Sequence, residues 1–464
     1  MIDPGAMLLS DGSSSIAWIH ARWFKRPASE SEPGVFFCGR VMKSDDENLL
    51  FADDLGKVDA LNAKFYGDFP YPWPPMVFES VADASLFRQM LAQDVGDWSN
   101  EFLPGKGMRI WVAGCGTNQA VFTALKFPNA TVVGSDLSAP SLELAERSAK
   151  NLGLQNLTLR RESLNEVAYD QEFDYVICTG VIHHNADPAA PLAKLATALK
   201  RTGILELMVY NRYHRTVTTA FQNAIRILTR GSTDFRAQFP IAKGVISALG
   251  GDGLMATSLK ESMEWPDAAF ADMWLQPVEH SYTVESLNEL LTLCDFVLVG
   301  PCVNQFDMVR YAYLWNINFE RDAEIARTYE SLEDKERWQI TNLFLLEKSP
   351  MLWIYAQRSD SPRLRKSEHQ LADEFLAMRW ARIRSECRSF VRDSAGAYQQ
   401  QSTRPFPAVA ALRDEAKVVY EALDAQRPMK DTMRKLGISP SFQLATKLRL
   451  ELTTSAFPYL RALT

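Results

Sequence analysis

The sequence predicts an α/β fold in which helices cover both faces of a doubly wound, mainly parallel sheet of seven strands. Three observations support this prediction. Apolar runs of strand length alternate with segments of helix length between residues 108 and 212, and this alternation is typical of a parallel sheet. A Gly-Cys-Gly turn at residues 114–116 follows the first run, and Asp136 closes the second. Such turns and acidic strand ends are typical of sheets that bind nucleotides.

The first predicted element is the apolar run at residues 110–114, which indicates a buried strand that ends in the glycine turn. Because Gly114 and Gly116 lack a Cβ atom, the backbone can turn sharply there and approach a ligand closely. Asp136 lies about twenty residues further on, at the tip of the next strand, where a carboxylate can accept hydrogen bonds from a ribose diol. The arrangement predicts a cofactor that contains a nucleoside.

The turn does not match the pattern of proteins that bind dinucleotides. That pattern is G-x-G-x-x-G, in which the third glycine lets the strand and the helix pack closely. Counted from Gly114, the third position holds Gln119. An NAD-dependent dehydrogenase is therefore the weakest candidate among the enzymes considered.

Four motifs in this part of the chain resemble those of the class I S-adenosylmethionine (SAM)-dependent methyltransferases. Residues 112–117 resemble the first glycine motif of that family, and residues 132–138 resemble its acidic second-strand motif. Residues 173–184 resemble the fourth strand with its following loop, and residues 199–207 resemble the turn into the fifth strand. The motifs stand in the family's order, so the resemblance implies the family's Rossmann-like sheet, its activity and its cofactor.

The resemblance implies SAM as the cofactor and marks the residues that would contact it. Where the family usually has an Asp near the adenine, this chain has Glu162 and Ser163, and either of them could face the adenine amine. The residues that the resemblance implies for cofactor binding are Gly114, Cys115, Gly116, Asn118, Gln119, Asp136, Leu137, Glu162, Ser163, Leu164, Thr179 and Gly180.

An aromatic and proline-rich segment at residues 66–75 precedes the predicted core. Its four prolines disfavour a regular helix and favour an extended, stiff segment. The positive charge of the cofactor makes aromatic faces favourable neighbours. We therefore predict Tyr66 and Tyr71 as cofactor contacts and Trp73 as an acceptor contact. The alternative is an ordinary linker that lies along the surface.

Candidates for catalysis and acceptor binding follow the fourth and fifth predicted strands. Methyl transfer requires an acceptor held in line with the methyl group and, for an O–H acceptor, a group that takes the proton. His184, and after it His183, are the candidates for that base, with Asn211 as a hydrogen-bonding partner of the acceptor. The alternative for both histidines is a structural loop. The other predicted acceptor contacts are Tyr210, Arg212, Tyr213, His214, His280 and Tyr282.

The predicted domains are an N-terminal extension at residues 1–80, a core at 81–212 and 278–357, a helical insertion at 213–277, and a helical C-terminal region at 358–464. The insertion follows the fifth strand, at the edge of the sheet where a lid over the substrate would lie. A lid is the favoured interpretation, and the alternative is a helical subdomain used for packing or for a homodimer.

Several elements are predicted around the motifs. Residues 140–152 predict a helix that begins after Ser138, a residue type that caps helices. Residues 79–103 also predict a helix, and residues 296–300 and 351–356 predict the sixth and seventh strands. Further on, residues 399–407 predict a linker. The segments behind it, 418–425 and 429–436, resemble a small helix-turn-helix arrangement, for which packing is the favoured role.

Composition and charge exclude several classes of function. A net charge of −7 disfavours a broad basic surface for nucleic acid. The six cysteines form no CxxC pair and no H-x-x-x-H motif occurs, so no metal site is predicted. No run approaches 18 apolar residues and the start lacks a signal pattern, so we expect a cytoplasmic protein without a membrane segment.

The leading hypothesis is a SAM-dependent methyltransferase that acts on an O or N atom of a small, aromatic or carboxylated organic acceptor. Its core resembles the small-molecule methyltransferases of ubiquinone biosynthesis. A second hypothesis is a peptide or protein methyltransferase that recruits its acceptor with the C-terminal region. This hypothesis predicts a groove between that region and the core. A third is a SAM-binding pseudoenzyme or interaction protein, in which the departures from the family at Val112 and Asn118 of the first motif, and the missing Asp near the adenine, report lost catalysis.

Overall fold

The structure is a computed structural model that describes residues 55–69, 77–99, 101–249, 256–303, 314–319, 321–392 and 398–463. The chain divides into one unit at residues 1–47 and another at residues 48–464. The first unit lies outside the described residues, and so do the predicted contacts Tyr71 and Trp73. The fold reported below is that of the second unit.

The strands of the described residues have the following bounds. They are β1 (Val77–Val81), β2 (Arg109–Ala113), β3 (Thr131–Asp136), β4 (Leu157–Arg161), β5 (Phe173–Thr179), β6 (Leu199–Asn211), β7 (Ser281–Tyr282), β8 (Phe296–Pro301), β9 (Leu352–Arg358), β10 (Arg379–Arg382), β11 (Ser385–Arg392), β12 (Tyr398–Phe406) and β13 (Leu460–Leu463).

The helices of the described residues are α1 (Leu55–Asp68), α2 (Leu86–Asp94), α3 (Gln119–Lys126), α4 (Ala139–Asn151), α5 (Ala189–Ala198), α6 (Thr216–Leu228), α7 (Phe235–Ala248), α8 (Ala256–Ser262), α9 (Asp267–Trp274), α10 (Val284–Leu293), α11 (Ala323–Glu330), α12 (Asp334–Leu345), α13 (Glu368–Ala377), α14 (Asp414–Ala422), α15 (Met429–Lys435) and α16 (Phe442–Thr453).

A mixed sheet of eight strands forms the centre of the fold. Seven of them lie side by side in the order β4-β3-β2-β5-β6-β9-β8, and the short β7 pairs with β6. Strands β2 to β6 run parallel to one another, whereas β9 lies between β6 and β8 and runs antiparallel to both. Helices cover the sheet, and the central strand β5 is buried along nearly its whole length. The α/β fold with a mainly parallel sheet is therefore confirmed, and so are the predicted sixth and seventh strands.

Helix α4 begins where its sequence predicts, because Ser138 caps it. The Ser138 side-chain oxygen accepts a hydrogen bond from the backbone N–H of Ser141 at 3.3 Å. This bond satisfies one of the N–H groups that have no partner inside the helix. The cap also fixes the chain directly after Asp136, which places that carboxylate at the edge of the sheet.

Three predictions of local structure are wrong. Residues 77–81 form a strand rather than the start of a helix, because β11 pairs with them antiparallel. Residues 399–407 are not a linker, since all but the last belong to β12, which pairs with β11. Tyr66 lies in α1 rather than in an extended segment, and the helix ends at Asp68, two residues before the first proline. The C-terminal region thus contains β10 to β13 in addition to its helices.

The insertion at residues 213–277 holds α6, α7, α8 and α9, and α1 packs against it. Phe65 of α1 is fully buried and lies edge-on to Phe235 of α7, with 5.1 Å between the ring centroids. Phe221, Phe270 and Trp274 belong to the same apolar cluster. Burying these large rings stabilises the arrangement, so α1 and the insertion form one support beside the sheet.

Candidate active site

A cavity of about 920 Å³ opens at the carboxyl ends of the parallel strands. The glycine turn after β2, the end of β3, the loop after β5 and the end of β6 contribute to its wall. Helices α1 and α9 contribute to it as well. The carboxyl edge is the usual ligand site of such sheets, and this volume is near the upper end for small-molecule pockets.

The glycine turn has a backbone conformation that excludes side chains. Gly114 and Gly116 have φ angles of +69° and +54°, which are in the left-handed region. A Cβ atom on Gly114 would lie 2.3 Å from the Cγ2 atom of Val181, in the loop after β5. The backbone N–H of Cys115 donates to the Ser135 carbonyl at 2.9 Å and ties the turn to β3. The turn is therefore a rigid cradle of backbone at the cavity wall.

Asp136 is held in place by two backbone N–H groups. Its Oδ2 atom accepts from Gly116 N–H and its Oδ1 atom from Ser138 N–H, both at 2.8 Å. Burial raises the pKa of this carboxyl, and the two hydrogen bonds oppose that rise. The side chain is half-buried and lines the cavity, and a carboxylate oxygen has capacity for a second hydrogen bond. The ribose contact that the sequence predicts is compatible with this geometry.

The two alternatives at the predicted adenine position point in different directions. Glu162 lines the cavity, and its carboxylate accepts from the hydroxyl of Tyr169 at 2.5 Å. Ser163 instead donates from its hydroxyl to Asp59 Oδ2 of α1 at 2.5 Å. Leu164 also lines the cavity. Glu162 and Leu164 are therefore available to a ligand, whereas the Ser163 side chain serves to attach α1.

The remaining predicted cofactor residues also lie in the cavity wall. The Nε2 atom of Gln119, at the start of α3, donates to the Thr179 hydroxyl at the end of β5 at 2.7 Å. This bond joins the first turn of the helix to the neighbouring strand end. The other members of the predicted set in the wall are Cys115, Asn118, Leu137, Gly180 and Tyr66.

The structure distinguishes the two adjacent histidines. His184 lines the cavity, and its Nδ1 atom lies 2.8 Å from the Val278 carbonyl oxygen. Because a carbonyl only accepts, Nδ1 carries the proton and Nε2 of the neutral ring carries a lone pair. Burial lowers the pKa of His184 to about 4. His183 is fully buried outside the cavity wall, with its ring 3.9 Å from that of Tyr210.

Several predicted catalytic and acceptor residues do not reach the cavity. The Asn211 amide donates to the Pro350 carbonyl at 2.8 Å and to the Asn342 side chain, so it holds the end of β6 to the segment after α12. Arg212 is exposed and donates to the Ser281 carbonyl. Tyr213, His280 and Tyr282 are likewise absent from the wall among the described residues, whereas Tyr210 and His214 belong to it. Side chains that follow the end of a strand point in different directions, and their position in the sequence alone does not tell which of them face the cavity.

Asp272 of α9 is a cavity residue that the sequence does not predict. Its Oδ1 atom accepts from the Tyr66 hydroxyl at 3.2 Å, and Tyr66 in turn accepts from the Gln276 amide at 2.7 Å. Burial raises the pKa of Asp272 to about 6. Asp59 and Asn62 of α1 and Met273, Met351 and Trp353 are further wall residues without a sequence signal.

A buried ion pair lies behind this part of the wall. The Arg215 guanidinium bonds both carboxylate oxygens of Glu279, at 2.8 and 2.5 Å, and the two side chains are 1% and 3% exposed. Burial alone would raise the pKa of Glu279, but Arg215 holds it below its ordinary value. Arg215 also lies over the Tyr210 ring, 4.0 Å from its centroid. Its charge is thus already compensated inside the protein, so a role as a clamp for an acceptor carboxylate is not supported.

The described residues contain no group of His, Cys, Asp and Glu side chains that could hold a metal ion. None of the helices in the described ranges is long and apolar enough to cross a membrane.

Known proteins match the part of the chain that carries the glycine turn and Asp136. Residues 104–229 match a family model described as a methyltransferase domain. The uncharacterized protein syc1184_c of Synechococcus sp. is 34% identical over 203 residues, which cover 41% of this chain and 48% of that protein. The ubiquinone biosynthesis O-methyltransferase of Dinoroseobacter shibae is 28% identical over 186 residues, 39% of this chain and 74% of that protein. The chain thus spans about half the length of the first relative.

Among solved structures, PKMT2 from Rickettsia typhi resembles this chain in fold, with a TM-score of 0.51 and 15% identity. The similarity covers 84% of this chain and 76% of that one. PKMT2 has also been solved in complex with AdoHcy, with the same score and identity. Together, the sheet, the matched domain and the ubiquinone-biosynthesis relatives identify residues 104–229 as a class I SAM-dependent methyltransferase domain.

Proposed function

We propose that the protein transfers a methyl group from SAM to an oxygen or nitrogen atom of a small organic acceptor. The observation that carries the proposal is the shared cavity of about 920 Å³. One part of its wall holds the residues that the resemblance implies for cofactor binding, and another part holds polar and aromatic side chains from α1, from α9 and from the turn before α6. A donor and a small acceptor bound in one cavity lie next to each other, as methyl transfer requires.

The residues of the first part of the wall fit the cofactor. The Gly114 turn leaves open the space that a side chain would fill, so the backbone can lie against the methionine part of SAM. The carboxylate of Asp136 accepts hydrogen bonds from the ribose hydroxyls, and Glu162 and Leu164 border the adenine. When bound, SAM supplies an electrophilic methyl group and a neutral leaving group. Tyr66 and Tyr210 present aromatic rings in the same cavity, which favours a cationic ligand.

His184 is the histidine of this site that contacts the acceptor. Its Nε2 lone pair faces away from the bond that Nδ1 makes to Val278, and the low pKa keeps the ring neutral at pH 7. A neutral ring next to a cationic donor avoids repulsion between like charges. It accepts a hydrogen bond from the acceptor and thereby positions it, while a base with a pKa of about 4 takes a proton only weakly.

The helical insertion acts as a lid in this proposal. Its helix α9 supplies Asp272 and Met273 to the wall, and α1 packs between the insertion and the loop that carries His184. Asn62 of α1 donates to the backbone carbonyl of His184 at 2.8 Å. Closure of α1 and the insertion over the strand ends would exclude water from the donor and the acceptor.

A peptide or protein acceptor is the second candidate, and one observation favours it. That hypothesis predicts a groove between the C-terminal region and the core, and a cavity of about 780 Å³ lies there. The sheet contributes Tyr175 and Glu206 to it, and the C-terminal region contributes Phe406 and Tyr459. Gln119, Phe122 and Trp353 belong to the walls of both cavities.

Calorimetric titration of the purified full-length chain with SAM and S-adenosylhomocysteine tests the proposal. We expect saturable binding of both compounds and no comparable binding of NAD⁺, because the third glycine of the dinucleotide pattern is absent. If neither SAM nor S-adenosylhomocysteine binds below millimolar concentration, the methyltransferase proposal fails.

A further inference from the structure

We infer that the methyl acceptor is an amine, whose ammonium form binds to the carboxylate of Asp272 and gives up its proton there. The inference rests on the proposed function and names its substrate class. It differs from the expectation of an aromatic or carboxylated acceptor, which the resemblance in sequence suggests. Four observations support it, and they concern the charge of the wall, the bonds of Asp272, the position of Asn62 and the aromatic side chains.

The described part of the cavity wall carries an excess of negative charge. Four carboxyl groups belong to it, whereas Arg215 is the one lysine or arginine among its described residues, and Glu279 already compensates that charge. The four acids are Asp59, Asp136, Glu162 and Asp272. In a cavity of low polarity, a second anion would be repelled and a cation attracted. A carboxylated acceptor is therefore disfavoured, and an ammonium group is favoured.

Asp272 differs from the other acids in the hydrogen bonds it already has. Asp136 accepts one backbone N–H at each oxygen, and Asp59 accepts from the side chains of Ser163 and Asn165. Asp272 accepts only from the Tyr66 hydroxyl, at its Oδ1 atom, and its Oδ2 atom has no partner among the described residues. The side chain is half-buried and lines the cavity, so Oδ2 is available to a ligand that donates a hydrogen bond.

Asn62 provides an independent sign of a ligand with N–H groups. It precedes Tyr66 by one helical turn, on the face of α1 that lines the cavity, and it is 7% exposed. Its amide nitrogen donates to the His184 carbonyl, but its Oδ1 atom is buried and has no hydrogen-bond partner among the described residues. A buried acceptor atom without a partner is costly, and a donor on the ligand would remove that cost.

The chemistry of an ammonium group matches these acceptor atoms. It offers three N–H donors and one positive charge, whereas a phenol offers a single donor and a carboxylate offers none. The aromatic rings of Tyr66, Tyr210 and Trp353 belong to the same wall and favour a cation over an anion. An alkylamine with an apolar body therefore satisfies the charge, the orphaned acceptors and the rings together.

The transfer step balances with Asp272 as the proton acceptor. The ammonium nitrogen gives one proton to the Asp272 carboxylate, and the freed lone pair forms the N–C bond to the methyl group. The electrons of the C–S bond remain on sulfur, so the donor leaves as a neutral thioether, and the positive charge passes to the methylated nitrogen. Burial raises the pKa of Asp272 to about 6, so the carboxylate is ionised at neutral pH and is a stronger base than an exposed aspartate.

The test uses the full chain saturated with S-adenosylhomocysteine and three probes with the same apolar body. The probes are 3-phenylpropylamine, 3-phenylpropan-1-ol and 3-phenylpropionate, titrated by calorimetry. We expect the amine to bind at least tenfold more tightly than the alcohol, and the acid to bind least. In Asp272→Asn, amine affinity should fall at least tenfold while S-adenosylhomocysteine affinity is unchanged. The matched control is Asp267→Asn, since Asp267 is an exposed carboxylate on the same helix.

Three outcomes would overturn the inference. The first is binding of the alcohol or the acid that equals or exceeds that of the amine, and the second is absence of amine binding. The third is an Asp272→Asn variant that binds the amine as the wild type does. Failure of S-adenosylhomocysteine to bind the wild-type chain is a different result, because it contradicts the proposed function itself.

Discussion

In the proposed function the cavity has a cofactor end, at the glycine turn and Asp136, and an acceptor end, around Asp272 and Tyr66, and the two ends differ in the kind of group that forms them. At the cofactor end, the backbone is the main component, since Gly114 and Gly116 expose it and Asp136 is held by two backbone N–H groups. At the acceptor end, side chains predominate, with Asp272 bonded to Tyr66 across two helices. The cofactor end therefore depends on the turns that the chain makes at the carboxyl ends of the parallel strands. The second depends on how α1 and the insertion pack.

This difference separates two properties of the protein. The edge of the sheet determines which donor binds, and it would do so with many different additions around it. In the proposed function, helices outside the sheet determine the acceptor, and their side chains can change without altering the glycine turn. Variants at one end should therefore leave binding at the other end intact.

The largest expected effect comes from breaking the buried ion pair behind the acceptor end. In Arg215→Met, the Glu279 carboxylate stays buried without its partner, and we expect the free energy of unfolding to fall by about 3–5 kcal/mol. Urea denaturation measures this loss. The double variant Arg215→Met/Glu279→Met should recover most of it, because no unpaired charge remains. A single variant that loses less than about 1 kcal/mol would show that the pair does not hold this end together.

A smaller loss is expected from a change at the cofactor end. Gly114 has a φ of +69°, and the Cβ atom that Gly114→Ala adds would lie 2.3 Å from Val181. Backbone strain and overlap together should cost about 2–4 kcal/mol of unfolding free energy and abolish tight binding of S-adenosylhomocysteine. The control is Gly153→Ala, which has a φ of +67° but open space, so strain alone should cost about 1–2 kcal/mol. Equal losses in the two variants would exclude the close contact as the cause.

The pH dependence of amine binding should contain a step that Asp272 produces. Its pKa of about 6 means that lowering the pH below 6 protonates the carboxylate and weakens amine binding by up to tenfold per unit, or about 1.4 kcal/mol. The neighbouring groups keep their protonation state near pH 6, because the pKa values of Tyr66 and Arg215 are raised and that of Glu279 is lowered. His184, with a pKa of about 4, stays neutral. Calorimetry at several pH values should show that the affinity for the amine falls as the pH drops through about 6, and that Asp272→Asn lacks this fall. If the variant keeps the fall, another group is responsible for it.

The smallest effect is expected for Tyr66→Phe, which removes one hydroxyl and keeps the ring. The hydroxyl donates to Asp272 and accepts from Gln276, so its loss should weaken amine binding by about 0.5–1.5 kcal/mol. Binding of S-adenosylhomocysteine should change less, since the ring remains in the wall. If the variant instead loses cofactor affinity and keeps amine affinity, Tyr66 belongs to the cofactor end.

The sequence predicts where the glycine turn and Asp136 lie, because both are placed by local patterns at the ends of strands. Gly114 and Asp136 lie in consecutive strand ends, and short motifs determine both. Glu162 and Ser163 could not be distinguished, because the choice depends on Asp59, which reaches Ser163 from 104 positions earlier in the chain. The sheet itself follows from the alternation of apolar runs, whereas β1 and β12 need partners that only the fold supplies.

The acceptor end is not predictable in the same way. Asp272 and Tyr66 are separated by 206 positions, and no local pattern marks either as a partner of the other. Proline residues behind Tyr66 favour an extended chain, but burial of the adjacent Phe65 against the insertion places both residues in a helix. The two histidines are neighbours in sequence, and the short turn of helix that carries them exposes only His184 to the cavity.

The most direct test of the account compares binding of S-adenosylhomocysteine to three proteins by calorimetry. They are the wild-type chain, Asp136→Ala and Asp272→Asn. We predict that the wild type binds, that Asp136→Ala loses about 1–3 kcal/mol of binding free energy with the ribose hydrogen bonds, and that Asp272→Asn binds as the wild type does. Equal losses in the two variants, or undiminished binding to Asp136→Ala, would contradict the separation of donor and acceptor recognition at opposite ends of one cavity.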